Sequence, residues 1–151
     1  MDNKTVASVS SEFLDYQYQA LGIHQVMQSL DVTEICINRP GEIWLENRAG
    51  WQRVEVAALS FARALQFCTT VVNESGTGQR ITDINPVVSL TFPTGQRAQF
   101  VVPPAVEAGA VSITIRLPSK RTRTLAEYQK DGFFAEILEG REDISAHDRE
   151  L

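Results

Sequence analysis

An α+β fold, with two clusters of antiparallel strands, a helix between them and a helical N-terminal segment, follows from three observations on this 151-residue sequence. Apolar residues alternate with polar ones in short stretches that fall into two clusters, residues 35–56 and 88–117. Turn residues punctuate each cluster at hairpin intervals. Stretches with helical apolar spacing stand before the first cluster and between the two, an order that suits antiparallel strands rather than repeated βαβ units.

The elements follow in order. Residues 1–10 are polar and read as a disordered lead-in. A helix begins at Ser10 or Ser11 as N-cap, with Leu14, Tyr18 and Leu21 on one face; Gly22 interrupts it before a second stripe of Ile23, Val26, Met27 and Leu30. Ile35 and Ile37 share one face of a strand that ends at Asn38-Arg39-Pro40-Gly41. Ile43 and Leu45 follow, with Trp44 opposite, and Asn47-Arg48-Ala49-Gly50 turns the chain into Val54 and Val56. This is a three-stranded meander. Ser60 caps the next helix, whose stripe is Phe61, Ala64, Leu65, Cys68 and Val72 and which ends before Glu74-Ser75-Gly76. Val88, Leu90 and Phe92 share a face, Pro93-Thr94-Gly95 turns, and Ala98, Phe100 and Val102 share the next, closed by Pro103-Pro104. Val111, Ile113, Ile115 and Leu117 alternate strictly with Ser112, Thr114 and Arg116 up to Pro118. Thr124 caps a short helix through Lys130.

Composition narrows the chemistry. The net charge of −5 argues against a general nucleic-acid binder. The charge is unevenly spread: residues 80–130 hold seven cations against three acids, and residues 131–151 hold two against seven. Only Lys4, Lys120 and Lys130 are lysines, and none follows a glycine-rich turn, so the sequence carries no complete phosphate-binding loop. Gly76-Thr77-Gly78-Gln79-Arg80 has half of that pattern without its lysine and reads as a mobile loop. Cys36 and Cys68 read as two buried thiols in a reducing compartment. No stretch resembles a secretory signal or approaches the ~18 apolar residues of a membrane span, so the chain reads as cytosolic.

Few residues are placed for catalysis. His24 and His147 are the two histidines, and neither has acids or cysteines at ligand spacing, so no metal site and no Ser-His-Asp triad is expected. Arg97 and Arg116 stand out instead. Each projects from the polar side of its strand, Arg97 with Gln99 and Arg116 with Ser112 and Thr114. If the two strands are neighbours, the guanidiniums converge, and their rigid forks of donors match phosphate oxygens; two solvated surface arginines are the plainer reading. Lys120, Arg121 and Arg123 form a basic cluster suited to anionic lipid or phosphate, or to a solvated loop. No aromatic residue interleaves with them, which weakens a single-stranded nucleic-acid reading.

Several of these stretches, taken together, resemble a known family. They are Val32-Thr33-Glu34-Ile35-Cys36-Ile37-Asn38-Arg39-Pro40-Gly41-Glu42-Ile43-Trp44, Gly50-Trp51, Pro93-Thr94-Gly95-Gln96-Arg97-Ala98-Gln99, Val102-Pro103-Pro104, and Val111 through Ser119. Their order and spacing are similar to the N-terminal domain of the traffic ATPases of bacterial type IV secretion systems, within the type II/type IV secretion ATPase superfamily, a resemblance that implies a twisted antiparallel sheet of about six strands with flanking helices. The resemblance spans residues 11–135 and makes residues 136–151 the start of an interdomain linker. It implies a cytoplasmic ATPase, peripheral at the inner membrane, that forms hexamers and powers substrate translocation, pilus assembly or conjugation. It also implies ATP and Mg²⁺ in the full-length protein, bound between this domain and a RecA-like domain that carries the Walker motifs, with none bound by this domain alone. Arg97 and Arg116 match the family's phosphate-contacting arginines. Expected partners are other copies of the protein, other secretion components and the inner-membrane surface, with no direct nucleic-acid binding. The competing reading is a non-enzymatic docking module that binds secretion components or anionic lipid through Lys120, Arg121 and Arg123; an unrelated small-ligand domain is a third.

Overall fold

The computed structural model describes residues 9–29, 31–118 and 123–135. The expected lead-in, apart from Val9 and Ser10, and the expected linker at 136–151 lie outside the described residues. The backbone groups into two compact units, residues 1–119 and 120–151.

The first unit opens with α1 (Ser11–Leu21). Ser10 is the cap, its hydroxyl accepting from the Phe13 amide at 3.2 Å. Gly22 ends α1 at φ 84°, a left-handed conformation that a side chain would strain, and a Cβ there would meet Val56 at 3.0 Å. A short α2 (His24–Gln28) follows. Three strands then form the expected meander, β1 (Glu34–Arg39), β2 (Glu42–Asn47) and β3 (Gly50–Glu55). Ser60 caps α3 (Phe61–Glu74), accepting from the Arg63 amide. The strands β4 (Val87–Thr91), β5 (Arg97–Val101) and β6 (Ser112–Arg116) complete the unit.

The two strand clusters form one antiparallel sheet in the order β3-β2-β1-β6-β5-β4. The join is the β1–β6 pair, in which Ile35 faces Ile115 and Ile37 faces Ile113. All four of those isoleucines are 0–1% exposed. One sheet face is thus apolar, with Ile43, Leu45, Val88, Leu90, Ala98 and Phe100 beside them, and it forms one core with the helices. Phe67 of α3 meets Phe100 of β5 edge-on at 5.8 Å, and Tyr18 of α1 lies 6.1 Å from Phe67. The contacts explain a difference from the expected helix face. Phe67 and Val71 of α3 are buried, while Phe61 and Leu65 are half-buried at the margin. The helix is rotated by the need to seat Phe67 between Tyr18 and Phe100.

The second unit holds α4 (Leu125–Lys130), started by a capping box in which Thr124 and Glu127 satisfy each other's backbone amides.

Phe100 is fully buried at the centre of the core. Phe100→Ala should lower stability by about 3–5 kcal/mol, read as a shift of the urea midpoint with an unchanged slope.

Candidate functional site

The sheet face opposite the core is polar and open. Alternation puts Glu34, Cys36 and Asn38 of β1 on it, with Trp44 of β2, Trp51 and Arg53 of β3, Thr114 and Arg116 of β6, Arg97 and Gln99 of β5, and Ser89 and Thr91 of β4. Register aligns these side chains in rows across the strands. One row runs through all six: Trp51, Glu46, Glu34, Arg116, Arg97, Thr91. The next runs Arg53, Trp44, Cys36, Thr114, Gln99, Ser89.

Arg97 and Arg116 are therefore direct cross-strand partners. They line a groove of about 590 Å³ with Glu34, Ser89, Thr91, Gln99 and Thr114. Two like charges in register repel. Glu34 offsets this, because Arg116 donates from Nε to Glu34 Oε2 at 2.9 Å. That hydrogen bond, and the carboxylate charge behind it, raise Arg116 above the ordinary arginine value. The Arg97 guanidinium forms no hydrogen bond or ion pair among the described residues, so its donors remain available to a ligand. Hydroxyls from Thr91 and Thr114 and the Gln99 amide add neutral partners. A concave face with two guanidiniums and neutral donors suits a multivalent oxyanion.

Sequence alternation had singled out the arginines. It gave no sign of Glu34 as their neighbour, because β1 and β6 are far apart in the chain. The signal was there in part, since Glu34 and Cys36 alternate with Ile35 and Ile37 and so had to share the polar face. The structure corrects one expectation about the cysteines. Cys68 is buried on α3, but Cys36 is only half-buried, on the open face. Its thiol donates to Glu34 Oε1 and lies beside Thr114 Oγ1, at 3.8 Å from each. Both cysteines are free.

Of the basic cluster, Lys120 and Arg121 lie outside the described residues. Arg123 is taken up within its own unit, paired with Asp131 and stacked 4.3 Å from the Tyr128 ring centre. His147 also lies outside. His24 begins α2, and its Nδ1 is buried without a hydrogen-bond partner among the described residues. Among those residues no three potential metal ligands cluster.

Fold and groove together define an α+β domain with an anion-suited sheet face. The crystal structure of the VirB11 ATPase from the Brucella suis type IV secretion system, in complex with sulphate, has the same fold, with a TM-score of 0.74 and 32% sequence identity over 91% of this chain and 41% of that one. The type IV secretion system protein VirB11 of Brucella suis is 37% identical over 120 residues, covering 80% of this chain and 33% of that protein. PtlH of Bordetella pertussis, also a type IV secretion system protein, is 38% identical over 118 residues, 78% of this chain and 34% of its own length. No family model matches the chain. The chain belongs to the VirB11/PtlH family of type IV secretion proteins, with the fold of the VirB11 N-terminal domain. It spans about a third of the length of these curated relatives.

Burial raises Cys36 above a free thiol, and the Glu34 carboxylate adds to it; burial raises Cys68 much further. Both are thiols at neutral pH. A raised folded-state value contributes stability that is complete below the unfolded value, about 8.5, and is lost as pH climbs through the folded one. In the folded chain a disulfide reagent at pH 7 should therefore modify Cys36 slowly and leave Cys68 untouched until the chain unfolds. The Cys36 rate should rise about tenfold per pH unit from neutral pH and keep rising past about 8.5, where a free thiol levels off. Rapid labelling of both at pH 7 would contradict this.

Proposed function

We propose that this chain is the N-terminal, ring-forming domain of a hexameric ATPase that energises type IV secretion, working in the cytoplasm and peripherally at the inner membrane. Arg97 and Arg116 reach the phosphates of a nucleotide held between this domain and a RecA-like catalytic domain. The observation that carries this reading is the in-register pair of arginines on the open sheet face. Family membership supports the secretion role. No helix of the described residues is long and apolar enough to cross a membrane.

The groove fits the anionic part of ATP. Arg97, the terminal nitrogens of Arg116 and the Thr91 and Thr114 hydroxyls are donors suited to phosphate oxygens. It fits Mg²⁺ poorly, since its one carboxylate, Glu34, is engaged by Arg116. In this reading the metal belongs to residues beyond this chain. The domain supplies positive charge where the transferred phosphoryl group becomes more negative, and the water-activating chemistry lies elsewhere. A docking role for Lys120, Arg121 and Arg123 draws less support, because Arg123 is committed to Asp131 and Tyr128.

The test is made in the full-length protein that carries this domain. Arg116→Ala should lower ATP turnover by about 10³-fold, the scale of other phosphate-facing arginines. Turnover equal to wild type would overturn the phosphate role of Arg116. The 151-residue chain alone should release no phosphate from ATP above background.

A further inference from the structure

We propose that Glu34 is the positioning residue of the phosphate-contacting groove: it grips Arg116 by Nε and so aims the terminal nitrogens of that arginine, together with those of Arg97, at the bound phosphate. This rests on the reading of the arginine pair given above and adds a residue to it.

The argument starts from the unequal burial of the two partners. The Arg116 side chain is 73% exposed, whereas that of Glu34 is 17% exposed. An exposed arginine samples many rotamers, and a ligand that needs one of them must bear that ordering cost. A largely buried carboxylate in the next strand is a fixed anchor that lowers it. Glu34 is itself held at both oxygens, Oε2 by Arg116 at 2.9 Å and Oε1 by the Cys36 thiol at 3.8 Å. The atom of Arg116 that it engages is Nε. Pairing there leaves the two terminal nitrogens as the edge presented to a phosphate. Glu34 also sits on the side of Arg116 away from Arg97, so its charge draws Arg116 off its like-charged neighbour without entering the space between them.

The opposite effect has to be weighed. A carboxylate beside an anion site repels the anion, and by charge alone removing it tightens binding. Positioning and repulsion thus predict opposite signs, and the sign decides between them.

The experiment uses the full-length protein that carries this domain, since the nucleotide lies between two domains in this reading, and titrates it with inorganic triphosphate by calorimetry. Glu34→Ala should weaken binding roughly threefold to tenfold, the worth of ordering one long side chain. Glu34→Gln, whose amide oxygen still accepts from Nε, should stay within about twofold of wild type. Placed on Arg116→Ala, the Glu34→Ala change should add no further loss, since its effect runs through that side chain. If Glu34→Ala melts, Glu34→Asp takes its place. It keeps the charge but withdraws the oxygens by one methylene, and it too should weaken binding. Tighter or unchanged binding in Glu34→Ala or Glu34→Asp would overturn the proposal, as would an equal loss on the Arg116→Ala background. If Arg116→Ala weakens binding while Glu34→Ala and Glu34→Asp do not, positioning alone falls. If Arg116→Ala leaves binding unchanged, the phosphate reading falls and takes this one with it.

Discussion

The β1–β6 pairing is the constraint on which the molecule's organisation depends. Each strand cluster alone is a three-stranded meander with one apolar face, too small to bury a large core. Pairing Ile35 with Ile115 and Ile37 with Ile113 merges the two apolar faces into a floor wide enough for α1 and α3. Among the strand pairings it also has the longest span of chain to close, and that span carries β2, β3, α3, β4 and β5. The loop-closure entropy is offset by what the join buries, since no isoleucine in it is more than 1% exposed. The same register brings Glu34 beside Arg116 on the other face. Core and groove are two faces of one alignment, and a slip of one residue would turn both inside out.

Local rules account for much of what the sequence disclosed. Ser10, Ser60 and Thr124 cap helices because short side-chain oxygens satisfy the amides of a first helical turn, a relation confined to three residues. The alternation of Ile113 and Ile115 with Thr114 and Arg116 exposes the arginine without any knowledge of the partner strands. Alternation makes the meeting of Arg97 and Arg116 depend on the adjacency of their strands, and β5 and β6 are adjacent. What stayed hidden was non-local. Nothing near Glu34 marks it as the partner of a side chain 82 residues away. The inward rotation of Phe67 likewise depends on Phe100 and Tyr18, which lie on other elements. Cys36 reads as buried in the sequence because its apolar neighbours conceal that it takes the polar turn of the alternation.

The far end of the open face has a different character. On β3, an edge strand, Arg53 is held by Glu42 at 2.6 Å and by Glu55 at 3.3 Å. The hydrogen bond from Arg53 lowers the Glu42 carboxyl below its ordinary value. These exposed pairs contribute little to stability. Their effect is to clothe the sheet margin in paired charge beside the half-exposed Trp51, which discourages strand-to-strand association at that edge.

The row from Glu46 and Glu34 to Arg116 and Arg97 has a consequence for what happens before any contact forms. Two negative and then two positive side chains stand on consecutive strands, roughly 4.8 Å apart. They make an electric dipole in the plane of the sheet, at right angles to the strands. Its moment is on the order of 90 D, against about 50 D for the 14 peptide units of α3. A sheet backbone has almost none of its own. A molecule with one highly charged end, approaching this face, feels a torque as well as an attraction. It arrives already turned with its anionic end towards β5 and β6, and that turning fades as salt shortens the range of the field.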